Sequence, residues 1–423
     1  MVVLDDPVTV GGCPLPNRLY RAPLLECAGT GEGAVDRLIH ELEPAAASGV
    51  GLVFQGASIV TEEGGCAVPN MTRVHDPAFV AALERLTGTV HDHGGRIFLQ
   101  LAHGGLRSRS LWHRGYGHEG GQLAVSRPPA TVRALDRVGL LSLDAHVLST
   151  AEVEDLAEAF GRAAGLAVDA GYDGIHLSGA NMGIVQQFLS PQFNRRDDAF
   201  SDGVRFLELV HDSIRDHAGD VPLVTKVPAE TQAPRWVRRR LERDEAVDIC
   251  ARLAAYGYDG LVPVEVSTFW DMSIVRGAYP ARAWADDGLR AGYQEAWGPY
   301  WRLVALLNRW QSLRFEREPG WNAAFCRLVR ERVDVPVFCE GGLRERVDCD
   351  RLLGDACDLV GMARPFYAEP RLGKRLLGDE DAGALCASCN NCTVPQVTGA
   401  EGRCRTPSVV RERARREQAG EYD

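Results

Sequence analysis

Short apolar runs alternate along the chain with longer segments of helical period, which is the rhythm of repeated parallel βα units. Residues 19–22, 51–55, 96–101, 173–177, 222–227, 260–264, 336–339 and 358–362 carry the eight strand-like runs. Helical patterns cover 79–93, 151–170, 204–218, 244–256 and 321–332. Within the second of these, Val153, Leu156, Phe160, Ala163, Ala164 and Val168 recur at helical spacing and predict one apolar face. Eight strands, each followed by a crossover, predict an α/β fold closed as a (β/α)8 TIM barrel. A doubly wound open sheet is the second choice, but no Gly-x-Gly-x-x-Gly follows the first strand.

Two long connections break the rhythm, at 103–150 and 266–319. Connections longer than about 12–15 residues are usually functional or disordered. Both follow strands (the third and the sixth), so in a barrel both rise from the catalytic face. The second holds Trp270, Trp284, Trp297, Trp301 and Trp310, which suggests a folded lid. A surface subdomain or dimer contact is the competing reading. The expected organisation is a barrel over 1–375, a four-cysteine segment over 376–408 packed on it, and a charged tail over 409–423 forming a frayed helix.

Composition changes this picture little. The chain has 423 residues, 45% hydrophobic, with a net charge of −11. An acidic chain with interspersed charges argues against nucleic acid as a partner, because phosphate binding needs a basic face. No run approaches the roughly 18 apolar residues of a membrane span. The N-terminus carries Asp5 and Asp6 and lacks a secretory pattern. A cytoplasmic protein is expected, where structural disulfides are rare. Of twelve cysteines, Cys13, Cys27, Cys66, Cys250, Cys326, Cys339, Cys349 and Cys357 are scattered and read as small buried hydrophobes.

A series of ordered motifs points further. They are Pro16-Asn17-Arg18-Leu19 with Ala22-Pro23, GVGLVFQGASIV at 49–60, and HDHGGRIFLQLAH at 91–103. AGYDGIHLSGANMGIVQQFLSP follows at 170–191 with Asn194, then VPVFCEGGL at 335–343 and DLVGMARPFYAEP at 358–370. Across about 4–408 the chain resembles the old yellow enzyme family of NADH:flavin oxidoreductases, in the branch with trimethylamine dehydrogenase and 2,4-dienoyl-CoA reductase. The resemblance implies an FMN-dependent oxidoreductase. Gly341 and Gly342 after strand seven, with Ala363 and Arg364 opening a short helix after strand eight, also suit a phosphate physically. Plain turn glycines are the alternative. By resemblance, Pro23, Leu24, Leu25 and Ala57 line the flavin, Gln100 bonds its pyrimidine edge, and Lys226 places a cation beside it. A buried lysine needs a partner in any case.

The substrate end departs from the family pattern. Strand four normally carries His, then His or Asn three residues on, then Tyr, to polarise a carbonyl and protonate the neighbouring carbon. Here those positions hold Ser178, Asn181 and Gly183. Asn181 and Ser178 are the expected carbonyl donors. His103 is a candidate substitute acid, with His113, Tyr116 and His118 behind it. His176 reads as a core histidine bonded to the backbone. Asn194, Arg196 and Asp198 keep the stretch after strand four, while the Gly-rich segment after it is shortened to 201–203. Cys27 lies two residues beyond Leu25, so a covalent flavin link there is only a weak expectation.

Cys386, Cys389, Cys392 and Cys404 are spaced C-x2-C-x2-C-x11-C. Three close thiolates with a distant fourth suit a cubane [4Fe–4S] cluster. Structural zinc is the alternative, although zinc sites more often show two separated pairs. Family branches with this segment carry a further C-terminal nucleotide-binding domain, and the chain is expected to lack it. The leading expectation is therefore an FMN oxidoreductase acting on a small enone, enoyl compound or amine, with an Fe–S relay to an electron-transfer protein or soluble donor. The alternatives are an NAD(P)H-reduced FMN enzyme with a zinc staple, and a barrel that has lost catalysis. Oligomeric state is left open.

Overall fold

The computed structural model describes residues 2–118, 121–139 and 142–423. Eight parallel strands form the barrel: β1 Leu19–Arg21, β2 Leu52–Ile59, β3 Arg96–Ala102, β4 Gly174–Leu177, β5 Leu223–Ala229, β6 Gly260–Glu265, β7 Phe338–Glu340 and β8 Leu359–Met362. They pair in the order β6-β5-β4-β3-β2-β1-β8-β7. The ring closes where the Leu261 N–H donates to the Pro336 carbonyl at 3.1 Å, with Leu261 bridged in parallel to Val337. Each of the eight sequence runs therefore overlaps a barrel strand. β2 runs on to Ile59 because an irregularity between Gln55 and Ser58 re-registers it against β3.

Aromatic side chains fill the barrel interior. Tyr20, Phe54, Phe98 and Phe338 meet edge to face at 5.3–5.6 Å, a geometry that aromatic quadrupoles favour. An antiparallel hairpin of Val8–Val10 and Cys13–Leu15 closes this core, adding Val10, Cys13 and Leu15. Its three-residue strands are too short to leave a periodic signal in the sequence.

Helices surround the ring. The longest, Thr150–Asp169, starts at a capping box in which Ser149 and Glu152 satisfy each other's backbone N–H. It buries Val153, Leu156, Phe160, Ala163 and Ala164 as their spacing predicts, with Val168 half-buried at the edge. The pattern at 79–93 divides at Leu83 into Pro77–Ala82, capped by Asp76, and Glu84–Asp92. The eight scattered cysteines are all buried and free. Among the described residues no helix is long and apolar enough to cross a membrane.

Both long connections fold over the C-terminal ends of the strands. In the first, residues 119–120 and 140–141 lie outside the described set; the remainder includes paired strands Gln122–Ala124 and Ala145–Val147 and a helix Ala130–Arg137. The second forms helices Ala281–Trp284, Arg290–Trp297 and Trp301–Arg314. Trp284, Tyr293, Trp297 and Trp301 pack there against Val394 of the cysteine segment. Trp310 is 56% exposed and takes no part in that cluster. The charged tail, expected to fray, is a helix over Pro407–Gln418. It is docked by Tyr422, 3% exposed, whose hydroxyl donates to Glu369 Oε1 at 2.7 Å.

Candidate active site

A cavity of about 520 Å³ opens at the C-terminal ends of the strands. Pro23, Leu24 and Leu25 beyond β1 line it, as does Lys226 on β5. Gly341 and Gly342 beyond β7, Ala363 and Arg364 beyond β8, and Asn181 beyond β4 complete the expected wall. Trp284 and Trp297 of the second long connection also face it, which supports the lid reading. Ala57, Gln100, Ser178 and His103 do not contribute to the wall.

Lys226 is 8% exposed and has the partner that burial demands: its Nζ donates to Glu340 Oε2 at 2.7 Å. The Tyr20 hydroxyl donates to the other oxygen, Oε1, at 3.3 Å. Glu340 also lines the cavity, so the site presents a fixed ion pair. Gln100 and His176 are neighbours across β3 and β4, and Gln100 Nε2 donates to His176 Nδ1 at 2.9 Å. His176 is thus held by a side chain, not by the backbone as expected. Its Nε2 is buried without a partner, and burial together with the nearby Lys226 pushes its pKa well below the ordinary value.

The substitute proton donors are used elsewhere. His103, 2% exposed, donates from Nε2 to the Glu63 carbonyl at 2.8 Å and accepts the Gly105 N–H at Nδ1, 3.1 Å. Both nitrogens are satisfied, and burial holds its pKa down at about 4. His103 therefore pins the turn after β3; the expectation that it serves as the acid is corrected. His113 is enclosed between Glu62 Oε1 at 2.6 Å and Ser108 Oγ at 2.8 Å. Tyr116 lies under the Arg73 guanidinium, 3.1 Å from its ring centroid. The ring of His118 packs 5.7 Å from that of His113. None of these reaches the cavity wall. Ser178 is half-buried and uses its N–H on the Leu101 carbonyl at 3.0 Å.

Asn181 does reach the wall, and it does so at a cost. Asn181 and Met182 both adopt left-handed backbone, φ 59° and 61°. Such pairs of non-glycine residues persist only where surrounding structure fixes them. Gln186 and Gln187 supply that here, by bonding the Met182 N–H and carbonyl at 2.7 and 2.6 Å.

Cys27 is buried among Ile59, Cys66 and Trp112, away from the cavity wall. Burial pushes its thiol pKa up, so neither position nor reactivity supports a flavin link. Glu62, Cys66 and His113 bring ligand-type atoms within 4.8 Å of one another. Arg73, however, already donates to Glu62 at 2.7 and 2.9 Å and to Cys66 at 3.5 Å. A guanidinium supplies the positive charge a metal would bring.

The wall fits FMN. Beyond β7 and β8, Arg344 and Arg364 both line the cavity. Neither has a carboxylate partner among the described residues, and the Arg344 Nε is buried without any partner. Two such cations beside a glycine turn match a phosphate. The glycines are also required by the turn itself: Gly342 has φ 71°, and a Cβ there would fall 2.0 Å from the Glu318 carbonyl oxygen. Glu340 and Arg344 were missed in the sequence, although both flank the Gly-Gly pair.

The four clustered cysteines are free; Cys386 and Cys392 are buried, Cys389 and Cys404 half-buried. Left-handed backbone at Ser388 and Asn390 folds the segment back on itself. All four line one small pocket that includes Arg364. Cys386 and Arg364 also line the large cavity, so the two sites share a wall. Arg344 Nη1 donates to the Cys386 carbonyl and Arg364 Nη1 to Asn390 Oδ1. Burial raises the Cys386 and Cys392 thiols, the latter to about 12, while the Arg364 cation opposes the rise.

Comparison with known proteins agrees with this geometry. The model of the NADH:flavin oxidoreductase / NADH oxidase family matches residues 4–232. The chain is 26% identical to a 4,4'-dithiodibutanoate disulfide reductase of Rhodococcus erythropolis over 97% of both proteins. It is 26% identical to an NADH oxidase of Thermoanaerobacter brockii, over 93% of this chain but 56% of that protein. Histamine dehydrogenase from Rhizobium sp. 4-9 shares the fold, with a TM-score of 0.74 and 21% identity, covering 97% of this chain and 53% of that one. The chain thus spans about half the length of two of these three proteins. A family match across the first five strands, a closed barrel and a cavity at the C-terminal ends of its strands lead to one conclusion: the chain belongs to the NADH:flavin oxidoreductase / NADH oxidase family and is an FMN-dependent oxidoreductase of the old yellow enzyme type.

Proposed function

We propose that the cavity couples a small organic substrate, enone, enoyl or amine in type, to a [4Fe–4S] relay held by Cys386, Cys389, Cys392 and Cys404. The carrying observation is the shared wall: Cys386 and Arg364 face both the large cavity and the cysteine pocket. FMN, when bound, supplies hydride exchange with the substrate, and the cluster supplies single-electron transfer to a partner protein or soluble donor.

The chain's own residues have definable tasks. Arg344 and Arg364 hold the phosphate, and main-chain groups at Pro23, Leu24 and Ala363 frame the ring system. Lys226, fixed by Glu340, presents a cation that favours negative charge in the cavity. Asn181 offers the hydrogen bond to a substrate carbonyl. Among the described residues no His or Tyr lines the wall; the side chains there that can carry a proton to substrate are Lys226, Glu340 and Cys386.

Spacing favours iron over zinc. Tetrahedral zinc with Zn–S bonds of about 2.3 Å brings its sulfurs to about 3.8 Å from one another. Among the described residues the only group of three ligand-type atoms within 4.8 Å of one another is Glu62, Cys66 and His113. A cubane interposes several irons and accepts wider spacing. Anaerobic purification followed by a visible spectrum with iron, sulfide and zinc analysis tests the reading. Flavin bands with a broad shoulder and about four irons per chain are expected. Flavin with zinc and no iron would replace the relay with a staple and NAD(P)H as reductant; a colourless protein that FMN cannot reconstitute would overturn the proposal.

A further inference from the structure

The cavity has a second pair of arginines that a flavin phosphate does not explain. Arg107 and Arg109 follow β3 in the first long connection, and both are half-buried on the cavity wall. Arg107 Nη1 donates to the Asn181 carbonyl at 3.0 Å. Arg109 Nη1 donates to the Ala296 carbonyl, and its guanidinium lies 5.6 Å from the Trp112 ring centre. This pair therefore sits where β4 and the two long connections converge, by the one carbonyl-binding position the chain retains.

Neither guanidinium has a carboxylate partner among the described residues. Four well-enclosed arginines elsewhere carry carboxylates, Arg21 with Glu26, Arg73 with Glu62, Arg196 with Asp198 and Arg346 with Asp350, whereas among the described residues Arg107 and Arg109, like Arg344 and Arg364 on the same cavity wall, do not. Withdrawing a cation from water is costly unless an anion compensates. Arg107 and Arg109 are half-buried, and burial lowers both from the ordinary guanidinium pKa. Around them the wall is apolar, with Leu106, Trp112, Val132, Leu143 and Met182. A pair of cations set in an apolar wall matches an acid with an apolar body.

We propose that Arg107 and Arg109 bind the carboxylate of a small apolar acid, so that this enzyme acts on unsaturated or related carboxylic acids and not on neutral ketones. Arginine forks match carboxylates bidentately, and such bonds are stronger than neutral ones. The carboxylate also supplies a carbonyl-type oxygen beside Asn181, which offsets the loss of the second strand-four donor. This rests on the oxidoreductase reading of the cavity for its catalytic meaning, while the binding itself is separable.

The test is isothermal titration calorimetry of the protein as purified, in phosphate-free buffer near neutral pH, with trans-2-hexenoate and its neutral amide. Flavin content is read separately from absorbance. The acid is expected to bind at least about tenfold more tightly than the amide. R107Q and R109Q should each remove most of that preference, leave amide binding within about twofold, and keep the flavin-to-protein ratio. R107K and R109K, which keep charge but lose the fork, should fall between. An acid that binds no better than the amide, or fails to bind, overturns the proposal whatever the flavin content. So does a preference that survives in R107Q and R109Q, since the anion then sits elsewhere. If glutamine variants fail to fold by circular dichroism, the lysine variants and the wild-type acid-to-amide ratio decide. Loss of flavin alone would count against the cofactor reading and leave this comparison readable.

Discussion

The two cationic ends of the cavity are held in different ways. Arg344 and Arg364 stand within a few residues of the ends of β7 and β8, beside a glycine turn that admits no Cβ, and both are bonded into the cysteine segment. Arg107 and Arg109 stand on a long connection and are fixed by the carbonyls of Asn181, beyond β4, and of Ala296, in the helix Arg290–Trp297. A cofactor common to a family is best held on the rigid frame, and a substrate that varies is best met by loops. At the flavin end Pro23, Leu24, Leu25, Lys226, Gly341, Gly342, Ala363 and Arg364 line the cavity while Ala57 and Gln100 do not; at the substrate end Asn181 remains and Ser178, His103 and His113 serve the local framework.

Substitutions should separate the ends. Lys226→Met leaves Glu340 charged and half-buried with only Tyr20 for company. It should cost about 3 kcal/mol in urea unfolding, and Lys226→Met with Glu340→Gln should recover most of it. Arg109→Gln at the loop end should change stability by less than about 0.5 kcal/mol. Equal losses would erase the distinction between frame and loop.

His103 gives the substrate end a pH signature. Its folded pKa of about 4 lies below the ordinary value, so its unfolded form takes a proton first as pH falls. Its share of stability is complete above about 6.5 and is lost as pH falls toward 4, reaching on the order of 3 kcal/mol. His103→Gln should flatten urea-derived stability across that window. An unchanged slope would mean that His103 is not held neutral. The smallest effect is expected at the tail: Tyr422→Phe removes one bond to Glu369, which Arg375 also holds, and should cost about 1 kcal/mol. A loss near zero would return the tail to a frayed segment.

Much of the frame was legible in the sequence. Strand runs and crossover lengths identify all eight strands, and a buried lysine at Lys226 required an anion even before Glu340 was located. Gly341 and Arg364, just past strand ends, could be placed because strand geometry carries them, while Pro23 rested on the family resemblance. Loop conformation has no such period. His103 follows β3 as the acid would, but a local carbonyl and N–H claim its ring. Arg107 and Arg109 look like ordinary solvated charges in a chain that is 25% charged, and only the fold shows them turned to a cavity without acids of their own.

The central claim is that one cavity has two anion sites with separate tasks. It is tested most directly by FMN titration of the wild type, R344Q/R364Q and R107Q/R109Q, followed by flavin absorbance and equilibrium dialysis. Wild type and R107Q/R109Q should hold about one FMN per chain with similar affinity, while R344Q/R364Q should bind it on the order of a thousandfold more weakly, about 4 kcal/mol for two charge-assisted contacts. Equal FMN loss in both double variants, or retention in R344Q/R364Q, would contradict the account.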